Sequence, residues 1–137
     1  MTSPGSADSD VPDEIAELAG RLFDMARSGN AATLAAYLDA GVPVNLTNSA
    51  GGTLLMLAAY HGHPATVQAL TRRGAEVDRA NDRGQTPLAG AVFKGHDEVV
   101  RVLVEAGAIP SAGRPNAVDT ARMFGRTGYL EMFNGFA

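Results

Sequence analysis

Cysteine is absent from this 137-residue chain. That excludes disulfide staples, thiolate metal sites and a cysteine nucleophile, and it suits a reducing compartment such as the cytoplasm. Lysine is nearly absent: Lys94 stands alone against ten arginines. The bias points to a GC-rich, bacterial genome rather than to a use of arginine. No apolar run approaches the roughly 18–20 residues that a bilayer span needs, so a membrane is not expected as a partner. The opening MTSPGSADSDVPDE is polar and acidic and lacks the basic and apolar regions of a secretory leader. Residues 1–12 read as a disordered lead-in, too poor in apolar side chains to offset their ordering entropy. Basic charge is also in short supply, 11 residues against 15 acidic ones for a net charge of −4. Nucleic acid favours a clustered basic surface and is therefore not expected either. An apolar share of 45% suffices for one packed domain at this length.

What is present repeats. The stretch GGTLLMLAAYHGHPATVQALTRRGAEV from Gly51 aligns without gaps on GQTPLAGAVFKGHDEVVRVLVEAGAIP from Gly84, an offset of 33 residues. Thr53 falls on Thr86, Leu55 on Leu88, Ala58 on Ala91, Gly62-His63 on Gly95-His96, and Gly74-Ala75 on Gly107-Ala108. The same step backward carries Gly62 to Gly29 and Gly74 to Gly41, so LFDMARSGNAATLAAYLDAGVPVN is an earlier, degenerate copy. Forward, the offset shortens to 30, carrying Gly95 to Gly125 and Ala91 to Ala121, with the lost residues in IPSAGRP. The chain after the lead-in, 13–137, divides into units at about 13–47, 48–80, 81–113 and 114–137. The outer two are atypical, as capping units with a single neighbour should be.

Each unit follows from local chemistry. Thr86-Pro87 starts a helix, since the hydroxyl can accept from a free amide and proline suits the first helical position. Leu88, Ala91 and Val92 share a face at helical spacing, and Gly95 permits the left-handed conformation of a tight reversal. His96-Asp97 opens a second helix with an apolar stripe of Val99, Val100, Leu103 and Val104, and Gly107 stops it. Small residues at Ala58, Ala59 and Ala91 let successive first helices approach. Asp13-Glu14-Ile15 start an N-terminal helix running toward Ala26. The expected architecture is all-α: about four helix–turn–helix units in a solenoid, with projecting hairpin loops.

The pattern G-x-T-P-L-x-x-A-x-x-x-G-H-x-x-V-V-x-x-L-x-x-x-G-A, from Gly84 to Ala108, resembles the ankyrin repeat. Gly51 to Ala75 matches with Leu54 in place of the usual proline. The chain thus resembles a small stand-alone ankyrin-repeat protein. The family's histidine after T-P-L is replaced by Met56 and Ala89, where hydrophobic contact is expected instead. Asn48 and Asn81 stand where the family opens its hairpin turns with aspartate, and either residue supports a turn.

Candidate chemistry is thin. His63 and His96 occupy equivalent positions, where a side chain that steadies the interhelical turn is the expectation. His61 lies outside the repeat pattern and is expected as a surface contact. Two histidines one residue apart, His61 and His63, lack a third ligand, so no metal is expected. Asp82, Asp97, Glu98 and Glu105 fall at turn or helix-surface positions and read as solvated, as do the cations Arg72, Arg73 and Arg101. No nucleophile motif is present, the glycines fall at repeat offsets rather than in a phosphate cradle, and neither a cofactor nor an enzymatic activity is expected.

What the resemblance implies is binding to another protein through hairpin tips and the exposed ends of first helices. By position, the tips offer Thr47, Ser49, Ala50 and Gly52, then Ala80, Asp82, Arg83 and Gln85. The helix ends offer Arg27-Ser28, Tyr60-His61, Phe93-Lys94 and Met123-Phe124. Tyr60 and Phe93, one repeat apart, are expected side by side as aromatic anchors flanked by cations. The function implied is that of a monomeric adaptor or regulator in the cytoplasm. Two alternatives stay open: a structural protein that stacks on its own copies, and an enzyme or small-ligand binder with a site in the concave groove.

Overall fold

Thr53 and Thr86 begin two helices by the same device. Each has an extended backbone, and each hydroxyl accepts a hydrogen bond from the amide three residues on, Met56 at 3.0 Å and Ala89 at 3.2 Å. Asn116 caps a third helix by accepting from the Asp119 amide at 2.7 Å. Such a cap contributes about 1 kcal/mol. The computed structural model describes residues 13–135, so the lead-in expected at 1–12 lies outside the described residues. Among the described residues the helices are α1 (Asp13–Ser28), α2 (Ala31–Asp39), α3 (Leu54–Tyr60), α4 (Pro64–Thr71), α5 (Pro87–Lys94), α6 (Asp97–Glu105), α7 (Ala117–Met123) and α8 (Gly128–Gly135). The hairpin arms hold isolated antiparallel bridges, Thr47 with Thr53 and Gly113 with Asn116, rather than strands.

Helices α1, α3, α5 and α7 pack in sequence as an inner row, and α2, α4, α6 and α8 as an outer row, with each pair joined across a tight turn. The burial pattern follows from place in the stack. Among the described residues α1 has one inner-row neighbour, and it buries Leu22, Phe23 and Ala26. α5 is flanked by α3 and α7 and buries every residue from Pro87 to Val92. A helix enclosed on most sides must be apolar nearly all round, which is why its sequence carries so few polar positions. Ala58, Ala59, Ala91 and Ala121 are fully buried in the inner row, so their small size sets how closely the helices approach. The α6 stripe of Val99, Val100, Leu103 and Val104 is buried as its spacing predicts. Met56 and Ala89 are also buried, so the two sites where the resemblance would place histidine join the apolar interior.

Among the described residues, hydrogen bonds between units run one way. At the hairpin tips the Asp82 amide donates to the Ala50 carbonyl at 3.0 Å, and the Arg114 amide to the Gly84 carbonyl at 2.8 Å. Beneath them, the Glu76 amide donates to Asn45 Oδ1 and the Ile109 amide to Asp78 Oδ1, each at 2.8 Å. On the outer side Arg73 grips both carboxylate oxygens of Asp39, at 2.9 and 3.2 Å, and the Tyr129 hydroxyl donates to Asp97. In each case the donor lies in the later unit and the acceptor in the earlier one.

Two of these bonds correct the sequence expectations. Arg73 does not stand free in solvent: its guanidinium holds the Asp39 carboxyl below the usual carboxylate range. Asp97 is not merely solvated either. Burial, followed by the bond to Asp97, pushes the Tyr129 phenol up to about 12. Arg101 keeps an exposed pairing with Glu98 at 3.3 Å, which contributes little at such a site.

Candidate partner-binding face

The ends of the inner helices form a ledge whose backbone is clamped from the next unit. His63 Nε2 lies 2.6 Å from the Arg27 carbonyl, and His96 Nε2 lies 3.0 Å from the Tyr60 carbonyl. A carbonyl can only accept, so each imidazole donates its Nε2 proton. At the equivalent place in the last unit Arg126 donates to the Phe93 carbonyl at 3.1 Å. These bonds refine the expectation for the histidines. Neither side chain caps its own helix. Each satisfies an orphan carbonyl at the end of the preceding inner helix, beside the reversal at Gly29 or Gly62. Arg126 was not singled out from sequence, although the shortened offset places it directly under His96.

The side chains on this ledge are not equivalent. The Tyr60 ring is half-buried and faces Gly90 of the next inner helix, where a Cβ would come within 3.4 Å of it. His61 meets the ring edge-on at 5.5 Å, and Lys94 Nζ lies over it at 5.3 Å from its centroid. Phe93 is 40% exposed and packs edge-to-face against Phe124 at 5.1 Å, beside Met123, which is 69% exposed. The expected side-by-side aromatic pair is therefore replaced by two clusters. Tyr60 sinks because Gly90 leaves it a slot. The equivalent position in the last unit is Thr120, which shares with Phe93 the lining of an open pocket.

Between α5 and α7 lies a pocket of about 240 Å³, lined by Gln85, Ala89, Phe93, Pro115, Thr120, Met123 and Phe124. Of the expected tip residues, Gln85 is half-buried and forms part of this wall, while Ser49, Asp82 and Arg83 are exposed. The tips are held in shape by their asparagines. Asn48 Oδ1 accepts from the Ala50 and Gly52 amides at 3.0 and 2.9 Å, and Asn81 Oδ1 from the Arg83 and Gln85 amides at 2.9 and 3.1 Å. Arg27 is exposed and paired with Asp24 at 2.7 Å. Lys94 makes no ion pair among the described residues.

The electrostatics of the ledge are positive. Partial burial, then the neighbouring His63, Arg27, Lys94 and His96, hold the His61 imidazole below its ordinary value. Among the described residues no group of three or more His, Cys, Asp or Glu side chains could hold a metal ion. The arrangement offers shape, apolar surface and, in Lys94 and Arg83, cations that make no ion pair among the described residues.

The family model for ankyrin repeats (three copies) matches residues 22–113, more than half of the chain. An ankyrin repeat protein of Pseudomonas aeruginosa is 50% identical over 48 residues, which cover 35% of this chain and 28% of that protein. The crystal structure of the human ASB11 ankyrin repeat domain superposes with a TM-score of 0.62 at 35% identity, covering 65% of this chain and 40% of that one. The chain thus spans less than half the length of either.

Proposed function

Because the chain belongs to the ankyrin-repeat family, whose repeats are generally protein–protein interaction modules, we propose that it is an adaptor or regulator that binds a protein partner through its hairpin tips and the concave inner-helix face. The observation that carries this reading is the exposed cluster of Phe93, Met123 and Phe124 around an apolar pocket on a ledge clamped from behind. Large apolar side chains held in solvent by a rigid backbone lose little freedom on binding, which is the economy that hot spots exploit. We place the protein in the cytoplasm as a monomer without catalytic activity. No helix among the described residues is long and apolar enough to cross a membrane.

The test is capture of partners from native cell extract with the wild-type chain and with Phe93→Ala and Met123→Ala. Both side chains are exposed, so the melting transition should move little while capture falls. Unchanged capture by both variants would refute the assigned face.

A further inference from the structure

We propose that the ledge recognises an extended peptide segment with two anchors: a bulky apolar side chain in the Phe93–Phe124 pocket, and a carboxylate two or three residues away against Lys94. This rests on the reading of the ledge as the binding face and names the chemistry of its occupant.

Three observations carry it. The pocket volume, about 240 Å³, falls below the roughly 300–1,000 Å³ of small-molecule sites and suits a single large side chain. Its lining is almost wholly apolar, with Gln85 and Thr120 as the polar exceptions, so the inserted group is aliphatic or aromatic. The charge beside it is also unmet. Lys94 follows Phe93 in the chain, is exposed, rests over the Tyr60 ring, and has no carboxylate partner among the described residues. Arg27, further along the same ledge, is already paired with Asp24 at 2.7 Å, so Lys94 is where an acidic group meets unpaired charge beside the pocket. An acidic group docked there would gain attraction to Lys94.

The spacing follows from the stack. The pocket lies between α5 and α7, and Lys94 leans toward α3 over Tyr60, so the two anchors are about one interhelical distance apart, roughly 8–10 Å. Extended chain rises about 3.3 Å per residue and polyproline II about 3.1 Å, which puts the acid two or three residues from the apolar anchor. It lies on the side of the N-terminal units.

The test is selection from a displayed library of random 12-residue peptides on the immobilised wild-type protein, on Phe93→Ala and on Lys94→Glu. Wild type should enrich peptides with a large apolar residue and Asp or Glu two or three positions away. A synthetic peptide from that pool should bind at least tenfold more weakly to Phe93→Ala. Lys94→Glu should keep the apolar preference and exchange the acid for Lys or Arg. Peptides that depend on Phe93 but show no acidic preference, or an acidic preference that survives Lys94→Glu, would overturn the two-anchor motif while leaving the face assignment standing. Enrichment indifferent to Phe93, or no enrichment, would overturn both.

Discussion

Replacing Gly62 with alanine separates two costs that glycine avoids in this fold, and Gly74 supplies the internal control. Both residues hold positive φ, 81° at Gly62 and 89° at Gly74. A side chain in the left-handed region costs roughly 1–2 kcal/mol. At Gly74 an added Cβ meets nothing within 4 Å, so Gly74→Ala should cost only that amount. At Gly62 the Cβ would lie 2.7 Å from Cε1 and 2.8 Å from Nδ1 of His96. The imidazole cannot step aside without breaking its 3.0 Å bond to the Tyr60 carbonyl. Losing that bond costs about 1 kcal/mol, and overpacking adds roughly 1–3 kcal/mol more. Gly62→Ala should therefore destabilise by about 3–6 kcal/mol, clearly beyond Gly74→Ala. Urea unfolding followed by circular dichroism measures both. Repeating Gly62→Ala in a His96→Ala background removes the collision partner, and its cost should fall to the Gly74→Ala value. Equal costs for the two glycines, or a Gly62 cost undiminished without His96, would refute the clamp geometry.

Thr66 is fully buried and its hydroxyl has no hydrogen-bond partner, whereas the equivalent residue one unit on is the buried Val99. Thr66→Val should stabilise the fold by about 1 kcal/mol in the same urea assay, and a loss of stability would show that the hydroxyl is satisfied. Tyr129 ionises at about 12 when folded, against about 10 for a free phenol. The folded state therefore holds the proton more tightly, and this stability is complete below about pH 10 and lost as pH rises toward 12. Tyr129→Phe should flatten that alkaline decline, and an unchanged slope between pH 10 and 12 would count against the bond to Asp97. Phe93→Ala should leave the urea midpoint nearly unchanged, since the ring is 40% exposed. A loss above about 2 kcal/mol would mean that Phe93 belongs to the core.

The repeat was legible because its positions admit few residue types. Gly62 and Gly95 need positive φ beside a neighbour's side chain, and Ala58 and Ala91 have no exposed surface in which a larger group could sit. Thr53 and Thr86 announce helix starts through their own hydroxyls. The ledge was legible only as a list of positions. Tyr60 and Phe93 occupy equivalent places, yet one is half-buried and the other exposed, and the residues a unit away differ, Gly90 against Thr120. The pairing of Arg73 with Asp39 and of Tyr129 with Asp97 also joins different units. Such contacts depend on how units register in space, which a period within one chain leaves open. Pro115 as a pocket wall was missed for the same reason: it sits on the trimmed loop, where the shortened repeat gives no register to read.

The one-way bonding between units has a consequence for how the chain is made. Synthesis delivers the earlier unit first, and what that unit leaves unpaired is oxygen: the Arg27 carbonyl, the Asp39 carboxylate and the Asn45 amide oxygen. Water solvates these while the ribosome extends the chain, so a nascent stack waits without burying an unsatisfied donor. Each following unit then arrives carrying the protons, on His63, Arg73 and the Glu76 amide, and closes the junction behind it. Growth and closure share a direction.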